Sequence, residues 1–230
     1  MALWQSDEEL FALARNELFP AVVGDVMDKL GLLHQFLPPQ IKPLGSSMVV
    51  IGRAMTVLEE DLTEQSTPGD ADERTRNPFG LMFHALDTMK PQEVYICTGA
   101  SPTYALWGGL MSTRARLLGA AGAVVNGYSR DTNEILSLNF PTFSFGGYAQ
   151  DQGARGWVVD FRSPIEMDGV RVDPGDIVFG DIDGVCIIPQ RAEREVFTAA
   201  LEKARGEQHV RKALESGMGT VEAFESFGIM

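Results

Sequence analysis

The stretch that decides the fold is WGGLMSTRARLLGAAGAVVNGYSRD, residues 107–131. Its pattern predicts a loop, a helix that begins within 108–111, a short apolar strand at 123–126, and a second loop that ends in Arg130-Asp131. The helix runs away from one edge of a sheet and the strand runs back to it. We therefore expect the helix start and the Arg130-Asp131 pair to meet at the same edge.

The residues gathered at that edge suit a small carboxylate bound beside a metal ion. Amides at a helix start bind anions, Asp131 is a ligand for a hard cation, and Arg130 can hold an oxygen between them. A surface ion pair is the alternative for an isolated Arg-Asp dipeptide. Against it stand nearby glycines such as Gly108 and Gly109, which let the backbone approach a ligand. No G-x-G-x-x-G or Walker motif indicates a nucleotide.

Composition is that of an ordinary globular protein, and we expect one domain over residues 1–230, with 44% hydrophobic and 22% charged residues. The net charge of −13 disfavours binding to nucleic acid and to anionic lipid. No apolar run reaches the roughly 20 residues that span a bilayer, and acids occupy positions 7–9 where a signal peptide would be basic. These features predict a cytoplasmic protein. Cys97 and Cys186 lie in apolar runs and are interpreted as reduced core thiols.

Elsewhere the pattern predicts helices at both ends of the chain and β structure in between, which indicates an α/β fold with a mixed sheet and helices on its faces. The predicted elements are N-terminal helices within 7–32 (at 7–18 and 21–32), an extended segment at 48–58 with a bulge at Gly52, an acidic solvated loop at 59–78, a helix at 79–90, a buried strand at 93–98, a hairpin formed by 177–179 and 185–189, and a C-terminal helix at 191–216 closed by Gly217.

Other candidate sites are weaker. Asp181 and Asp183 in the GDIDG run resemble part of a calcium loop, but the later ligands are missing and a hairpin turn explains the run. The three histidines are far apart without zinc-site spacing, and no lysine lies in an apolar run that would favour a Schiff base. Bond cleavage next to a carbonyl would therefore need a metal as the electron sink.

The run 107–131, followed by FPTF, YAQD and GVRVDPGDIVFGDIDGVCIIP, resembles the RraA-like family over roughly residues 15–228. The motif G-x₂₀-R-D-x₂-E is met by Gly109, Arg130, Asp131 and Glu134. This family includes metal-dependent 4-hydroxy-4-methyl-2-oxoglutarate aldolases, oxaloacetate decarboxylases and regulators of ribonuclease E.

The resemblance implies a swivelling β/β/α sandwich that assembles as a homotrimer or a dimer of trimers, with sites at subunit interfaces. It implies Mg²⁺ or Mn²⁺ on Asp131 and a small 2-oxo acid substrate whose keto oxygen meets Arg130. The substrate carboxylate would bind backbone amides at the helix start, namely Gly108, Gly109, Leu110 and Met111. Glu207, in the C-terminal helix, would reach the metal waters of a neighbouring subunit, although Glu134 is an alternative for that role.

One position departs from the pattern, because Gly109 stands where the family's aldolases carry an Asp. That Asp helps to hold the water that takes the proton from the C4 hydroxyl, whereas decarboxylation of oxaloacetate needs no such base. The first hypothesis is a divalent-metal-dependent C–C lyase that releases pyruvate, with Arg130, Asp131 and Glu207 as catalytic residues. The second is a non-catalytic regulator that binds a ribonuclease or another protein.

Overall fold

The computed structural model describes residues 3–62 and 79–228, which fall into two compact units. His34–Gln190 form the first, here called the sheet unit. Met1–Leu33 and Arg191–Met230 form the second, called the helical unit. The single domain expected from length and composition stays a prediction.

The sheet unit contains twelve short to medium strands and three helices among its described residues. Its strands are β1 Lys42–Pro43, β2 Val50–Asp61, β3 Glu93–Thr98, β4 Ala105–Trp107, β5 Gly122–Val125, β6 Tyr128–Ser129, β7 Thr142–Ser144, β8 Gly156–Phe161, β9 Ile165–Met167, β10 Val170–Val172, β11 Ile177–Asp181 and β12 Gly184–Ile188. Its helices are α1 Met82–Asp87, α2 Gly109–Leu117 and α3 Thr132–Leu138.

Eight of these strands form one mixed sheet in the order β1-β7-β5-β3-β2-β11-β12, with β8 also paired to β2. Strands β2, β3, β5 and β7 run parallel to one another, as expected for a chain that returns through helices, whereas β1, β8 and β11 pair antiparallel with their neighbours. The predicted hairpin is confirmed, since β11 and β12 pair antiparallel from Ile177↔Ile188 to Asp181↔Gly184.

The two faces of the sheet are covered by different layers. On one face, apolar side chains of the sheet such as Tyr95 pack with Met82, Ala115 and Ile135 from the three helices. On the other face, the β9–β10 hairpin places Ile165 and three further apolar residues against the sheet. Hairpin, sheet and helices make three layers, which confirms the predicted swivelling β/β/α class.

The helical unit contains four helices among its described residues, which are α4 Asp7–Glu17, α5 Pro20–Lys29, α6 Glu193–Glu215 and α7 Thr220–Phe227. The Ser6 side chain caps the first of them by accepting a hydrogen bond from the Glu9 amide at 3.3 Å. The long C-terminal helix is confirmed, and Gly217 ends it in left-handed backbone with φ of 98°.

Three predictions about the middle of the chain were wrong in detail. Gly52 is not at a bulge, because its pairing with β11 is regular. A glycine fits this position because a Cβ there would meet the Gln92 carbonyl oxygen at 2.2 Å. The register shift lies instead between Leu58 and Glu59. The predicted loop at 59–78 begins inside β2, since that strand continues to Asp61 by pairing with β8; residues 63–78 lie outside the described residues.

The helix predicted at 79–90 is also shorter, at Met82–Asp87. Gly80 has a φ of 61°, which a helix does not accommodate, and Pro91 disfavours helical backbone at the residue before it. Within the described parts of the chain, 3–62 and 79–228, no helix has the length and apolar character that crossing a membrane requires.

Candidate active site

Two short parallel strands bring the predicted site residues together. Strands β4 and β6 pair side by side, and the Arg130 amide continues the pairing by donating to the Trp107 carbonyl at 2.8 Å. Helix α2 follows the first strand and helix α3 follows the second. Because the strands are parallel, both helices begin at the same end of the pair.

The helix start and the Arg130-Asp131 pair meet as the sequence predicts. The Gly109 amide, the first of helix α2, donates to Asp131 Oδ2 at 3.1 Å. Asp131 lies in left-handed backbone with φ of 59°, a conformation that Asp tolerates better than most residues. The next amides of a helix start also lack intrahelical acceptors, which leaves those of Leu110 and Met111 available to an anion.

Arg130 is held by a second carboxylate that the sequence prediction missed. Its Nη1 lies 2.6 Å from Asp151 Oδ1, whereas its Nε lies 3.8 Å from Asp131 Oδ2. Asp151 is itself fixed, because its Oδ2 accepts from the Gly153 amide at 3.0 Å. The only signal in the sequence was the YAQD run, which carries no local pattern that would place it beside residue 130.

The Glu134 carboxylate lies directly against Gly109. A Cβ built on Gly109 would meet Glu134 Oε2 at 2.2 Å, closer than any real Cβ contact. The Glu134 carboxylate therefore fills the space that a side chain at 109 would take. Gly109, Asp131 and Glu134 together place two carboxylates around one helix start.

Arg130 and Asp131 open onto a cavity of about 220 Å³, whose described lining includes neither Gly109 nor Glu134. Its polar lining residues include Arg130, Asp131, Asp151 and Gln152. Gln152 is 4% exposed, and its Nε2 has no hydrogen-bond partner among the described residues. An unpaired buried amide is costly to a folded protein and is a donor available to a bound molecule.

Behind the cavity lies a buried acid. Trp107, which lines the cavity, packs on Tyr95 with ring centroids 4.8 Å apart. Glu59 lies nearby at 1% exposure, with its Oε2 4.0 Å from Cys97 Sγ. Burial raises the pKa of Glu59 to about 8 and raises the pKa of the Cys97 thiol well above its usual value. Both cysteines are free and buried, as predicted.

Comparison with known proteins identifies the family. The sequence profile of the RraA-like family, described as Aldolase/RraA, matches residues 20–187. The chain belongs to the RraA-like family.

Several relatives are similar over most of this RraA-like chain. A Halalkalibacterium halodurans protein with the provisional name 4-hydroxy-4-methyl-2-oxoglutarate aldolase is 30% identical, over 88% of this chain and 87% of its own length. Protein DlpA of Legionella pneumophila is 29% identical over 90% of this chain, which spans only 32% of DlpA. The crystal structure of Streptomyces coelicolor RraAS2, described as an unusual member of the RNase ES inhibitor RraA protein family, has a TM-score of 0.76 at 22% identity and covers 90% of this chain and 98% of that one.

Two further predictions for this RraA-like chain concern acids outside the cavity. Glu207 lies in the helical unit, where Lys203 Nζ is 3.2 Å from its Oε1; its predicted role at the metal waters stays a prediction. Asp181 and Asp183 form the β11–β12 turn, in which the Asp183 amide donates to Asp181 Oδ1 at 2.8 Å. That geometry agrees with the structural interpretation of the GDIDG run.

The acids of the site suit a hard cation that keeps most of its water. In the described residues, no group of three or more His, Cys, Asp or Glu side chains is arranged to hold a metal ion. Mg²⁺ is usually bound by one or two carboxylates and retains several waters, so Asp131 and Glu134 are the residues that would hold such an ion here. Oxygen donors without imidazole or thiolate favour Mg²⁺ or Mn²⁺ over zinc.

Proposed function

We propose that the protein is a divalent-metal-dependent C–C lyase that cleaves a 2-oxo acid and releases pyruvate. The observation that carries this proposal is the convergence of a helix-start amide, Asp131 and the Arg130 guanidinium at one cavity. Its RraA-like relatives with aldolase names support the same class of reaction.

The protein's own groups fit the charge changes of that reaction. When the bond beyond C3 breaks, its electron pair stays on C3 and spreads onto the keto oxygen. The Arg130 guanidinium stabilises this charge, and the amides of Leu110 and Met111 orient the carboxylate without adding a proton. Mg²⁺ or Mn²⁺ held by Asp131 would supply further positive charge at the same oxygen.

The groups beside Gly109 affect which of two reactions the site supports, retro-aldol cleavage or decarboxylation. A retro-aldol cleavage needs a group to accept the C4 hydroxyl proton, and Glu134 brings a carboxylate into the space that a residue 109 side chain would fill. Decarboxylation of oxaloacetate needs no such acceptor, because carbon dioxide departs unaided. Oxaloacetate is therefore the first substrate to test.

The test is pyruvate release from oxaloacetate by purified protein with Mg²⁺ or Mn²⁺, repeated with EDTA and with metal alone. We expect metal-dependent turnover that falls by about 10²–10³ in Arg130→Ala, which removes a charge-stabilising donor. Arg114→Ala is the matched control, because Arg114 is a half-exposed arginine on helix α2 that pairs with Asp87 outside the cavity. Turnover no higher than that of free metal would rule out the decarboxylase activity.

A second variant addresses the metal itself. Asp131→Asn keeps a residue that tolerates left-handed backbone but removes the negative charge. We expect it to fold with unchanged thermal stability and to lose Mn²⁺ binding, measured by electron paramagnetic resonance, together with turnover. Retained Mn²⁺ binding would show that Asp131 is not the metal ligand.

We also propose that the chain forms a homotrimer or a dimer of trimers in which Glu207 of one subunit serves the site of another. Of the two acids in the described lining, Asp151 is already paired with Arg130, so an acid from a second copy would add a donor for the metal waters. Leu110, which lines the cavity, is 82% exposed and offers apolar surface that a second subunit would cover.

The second candidate function is a non-catalytic regulator that binds a ribonuclease or another protein. The net charge of −13 suits a basic partner, and RraAS2 is described as belonging to a family of ribonuclease inhibitors. Asp131→Asn separates the two functions, because a regulator would still inhibit ribonuclease E cleavage whereas the lyase would lose turnover.

A further inference from the structure

The Asp151 carboxylate is held at both of its oxygens. Its Oδ1 lies 2.6 Å from Arg130 Nη1, and its Oδ2 accepts a hydrogen bond from the Gly153 amide at 3.0 Å. The Asp151 carbonyl also accepts from Arg155 Nη1 at 3.0 Å, which ties the following turn together. Because each carboxylate oxygen already faces a donor of the protein, the contacts of Asp151 suit a fixed support for Arg130 better than a second metal ligand.

The turn that carries Asp151, residues 151–156, is built tightly onto the main sheet. Its last residue, Gly156, begins strand β8, which pairs with β2. A Cβ on Gly156 would meet Glu59 Oε1 and Tyr104 Oη, each at 2.2 Å, so the turn lies directly on these two side chains. The position of Asp151 is therefore set by close packing against the sheet.

The Asp151 contact is the shorter of two that hold the Arg130 guanidinium. The other joins Arg130 Nε to Asp131 Oδ2 at 3.8 Å, which is beyond hydrogen-bond distance. An arginine side chain has several rotatable bonds and loses its direction when its end group is not held. The Arg130 and Asp151 side chains are 39% and 46% exposed, and ion pairs at such exposure add little to stability. The pair should therefore affect the direction of the guanidinium more than the stability of the fold.

We propose that Asp151 is a positioning residue, which aims the Arg130 guanidinium at the keto oxygen of a 2-oxo acid in the cavity. This inference rests on the proposed lyase function and adds to it a residue that acts only through Arg130. The guanidinium is planar, so a fixed Nη1 also fixes the direction in which Nη2 donates. A displacement of about 1 Å at such a group can cost on the order of 10² in rate.

The first experiment measures oxaloacetate turnover by Asp151→Asn with Mg²⁺ present. An Asn oxygen can still accept from the Gly153 amide, but the side chain no longer offers a charge to Arg130. We expect kcat to fall by about tenfold to a hundredfold with an unchanged melting temperature. The loss should fall on kcat more than on KM, because Arg130 meets a charge that develops in the transition state.

Asp87→Asn is the matched control for this variant. Asp87 forms another exposed pair with an arginine, Arg114, at 2.8 Å, and it does not line the cavity. Its removal should leave turnover unchanged. Unchanged or faster turnover in Asp151→Asn would overturn the inference, because Asp151 would then only compete with the substrate for Arg130.

Two further measurements separate positioning from other roles of Asp151. In the Arg130→Ala background, Asp151→Asn should cost at most about a further twofold, because the group that it positions is already gone. Losses that multiply would show that Asp151 acts independently of Arg130. Mn²⁺ binding by Asp151→Asn, measured by electron paramagnetic resonance, should equal that of the wild type. Lost Mn²⁺ binding would make Asp151 a metal ligand and would also overturn the inference.

Calorimetry with oxalate and Mg²⁺ keeps this inference apart from the lyase proposal. Oxalate carries negative oxygens spaced like those of the pyruvate enolate, and we expect Asp151→Asn to weaken its binding only when Arg130 is present. That result without any wild-type turnover refutes the lyase alone. Wild-type turnover that Asp151→Asn leaves unchanged refutes the positioning role alone. A wild-type protein that neither turns over oxaloacetate nor binds oxalate refutes both.

Discussion

At the scale of single residues, Gly109 and Glu134 form a pair that a double-mutant cycle can test. Gly109→Ala adds a Cβ that the Glu134 carboxylate must move away from, and that carboxylate is the mobile end of a flexible side chain. We expect little loss of stability, within about 0.5 kcal/mol, but a fall in turnover of a 4-hydroxy-2-oxo acid comparable to that of Glu134→Gln. The double variant should be no worse than either single variant. Additive losses would show that the two residues act independently.

Gln152 offers a second prediction at this scale, because its unpaired Nε2 separates stability from function. Gln152→Met keeps the approximate shape of the side chain and removes a buried donor without a partner. We expect the melting temperature to be unchanged or higher, while kcat/KM falls if the amide contacts the substrate. A lower melting temperature would show instead that the amide stabilises the fold.

Single residues also show which contacts of the site could be predicted from the sequence and which could not. The Gly109–Asp131 contact was predictable because only one helix and two short strands lie between them, and the helix start and glycine pattern are local signals. Asp151 and Gln152 were missed, since nothing in the YAQD run indicates a partner at residue 130. Their positions depend on how the chain returns to the site, which no periodicity encodes.

At the scale of elements, strand β2 carries the buried acid. Its first four residues pair with β11 and its last five pair with β8, which encloses Glu59. The sequence predicted that Glu59 begins a solvated loop, because a run rich in acids is normally exposed. Long-range pairing with β8 overrode that local composition. The pH dependence of the protein's stability can test how strongly Glu59 is buried.

We predict a stability that depends on pH through Glu59. Its pKa is raised from 4.5 to about 8 in the folded protein, so the unfolded chain ionises first as the pH rises. The stability that this residue contributes is complete below about pH 4.5 and is lost progressively up to about pH 8, at about 1.4 kcal/mol per pKa unit. Glu59→Gln cannot ionise, so its stability relative to wild type should rise across this interval.

Urea denaturation at several pH values between 5 and 8 measures this difference. Glu60→Gln is the matched control, because Glu60 is the next residue of the same strand and is exposed. It should follow the wild-type profile. Parallel profiles for Glu59→Gln and wild type would mean that Glu59 is charged in the folded protein and that another group compensates it.

At the scale of the whole molecule, the proposed assembly predicts that two inactive variants regain activity when their subunits are mixed. If Asp131 of one subunit and Glu207 of another complete each site, then Asp131→Ala and Glu207→Gln are both inactive alone but complement each other. Random mixing of equal amounts by refolding gives an intact pair at about one site in four, so we expect about a quarter of wild-type turnover. A site completed within one subunit would give no recovery, because every chain lacks one of the two acids. A mixture of Asp131→Ala with Arg130→Ala is the matched control: these two residues belong to the same site, so it should stay inactive however the subunits assort.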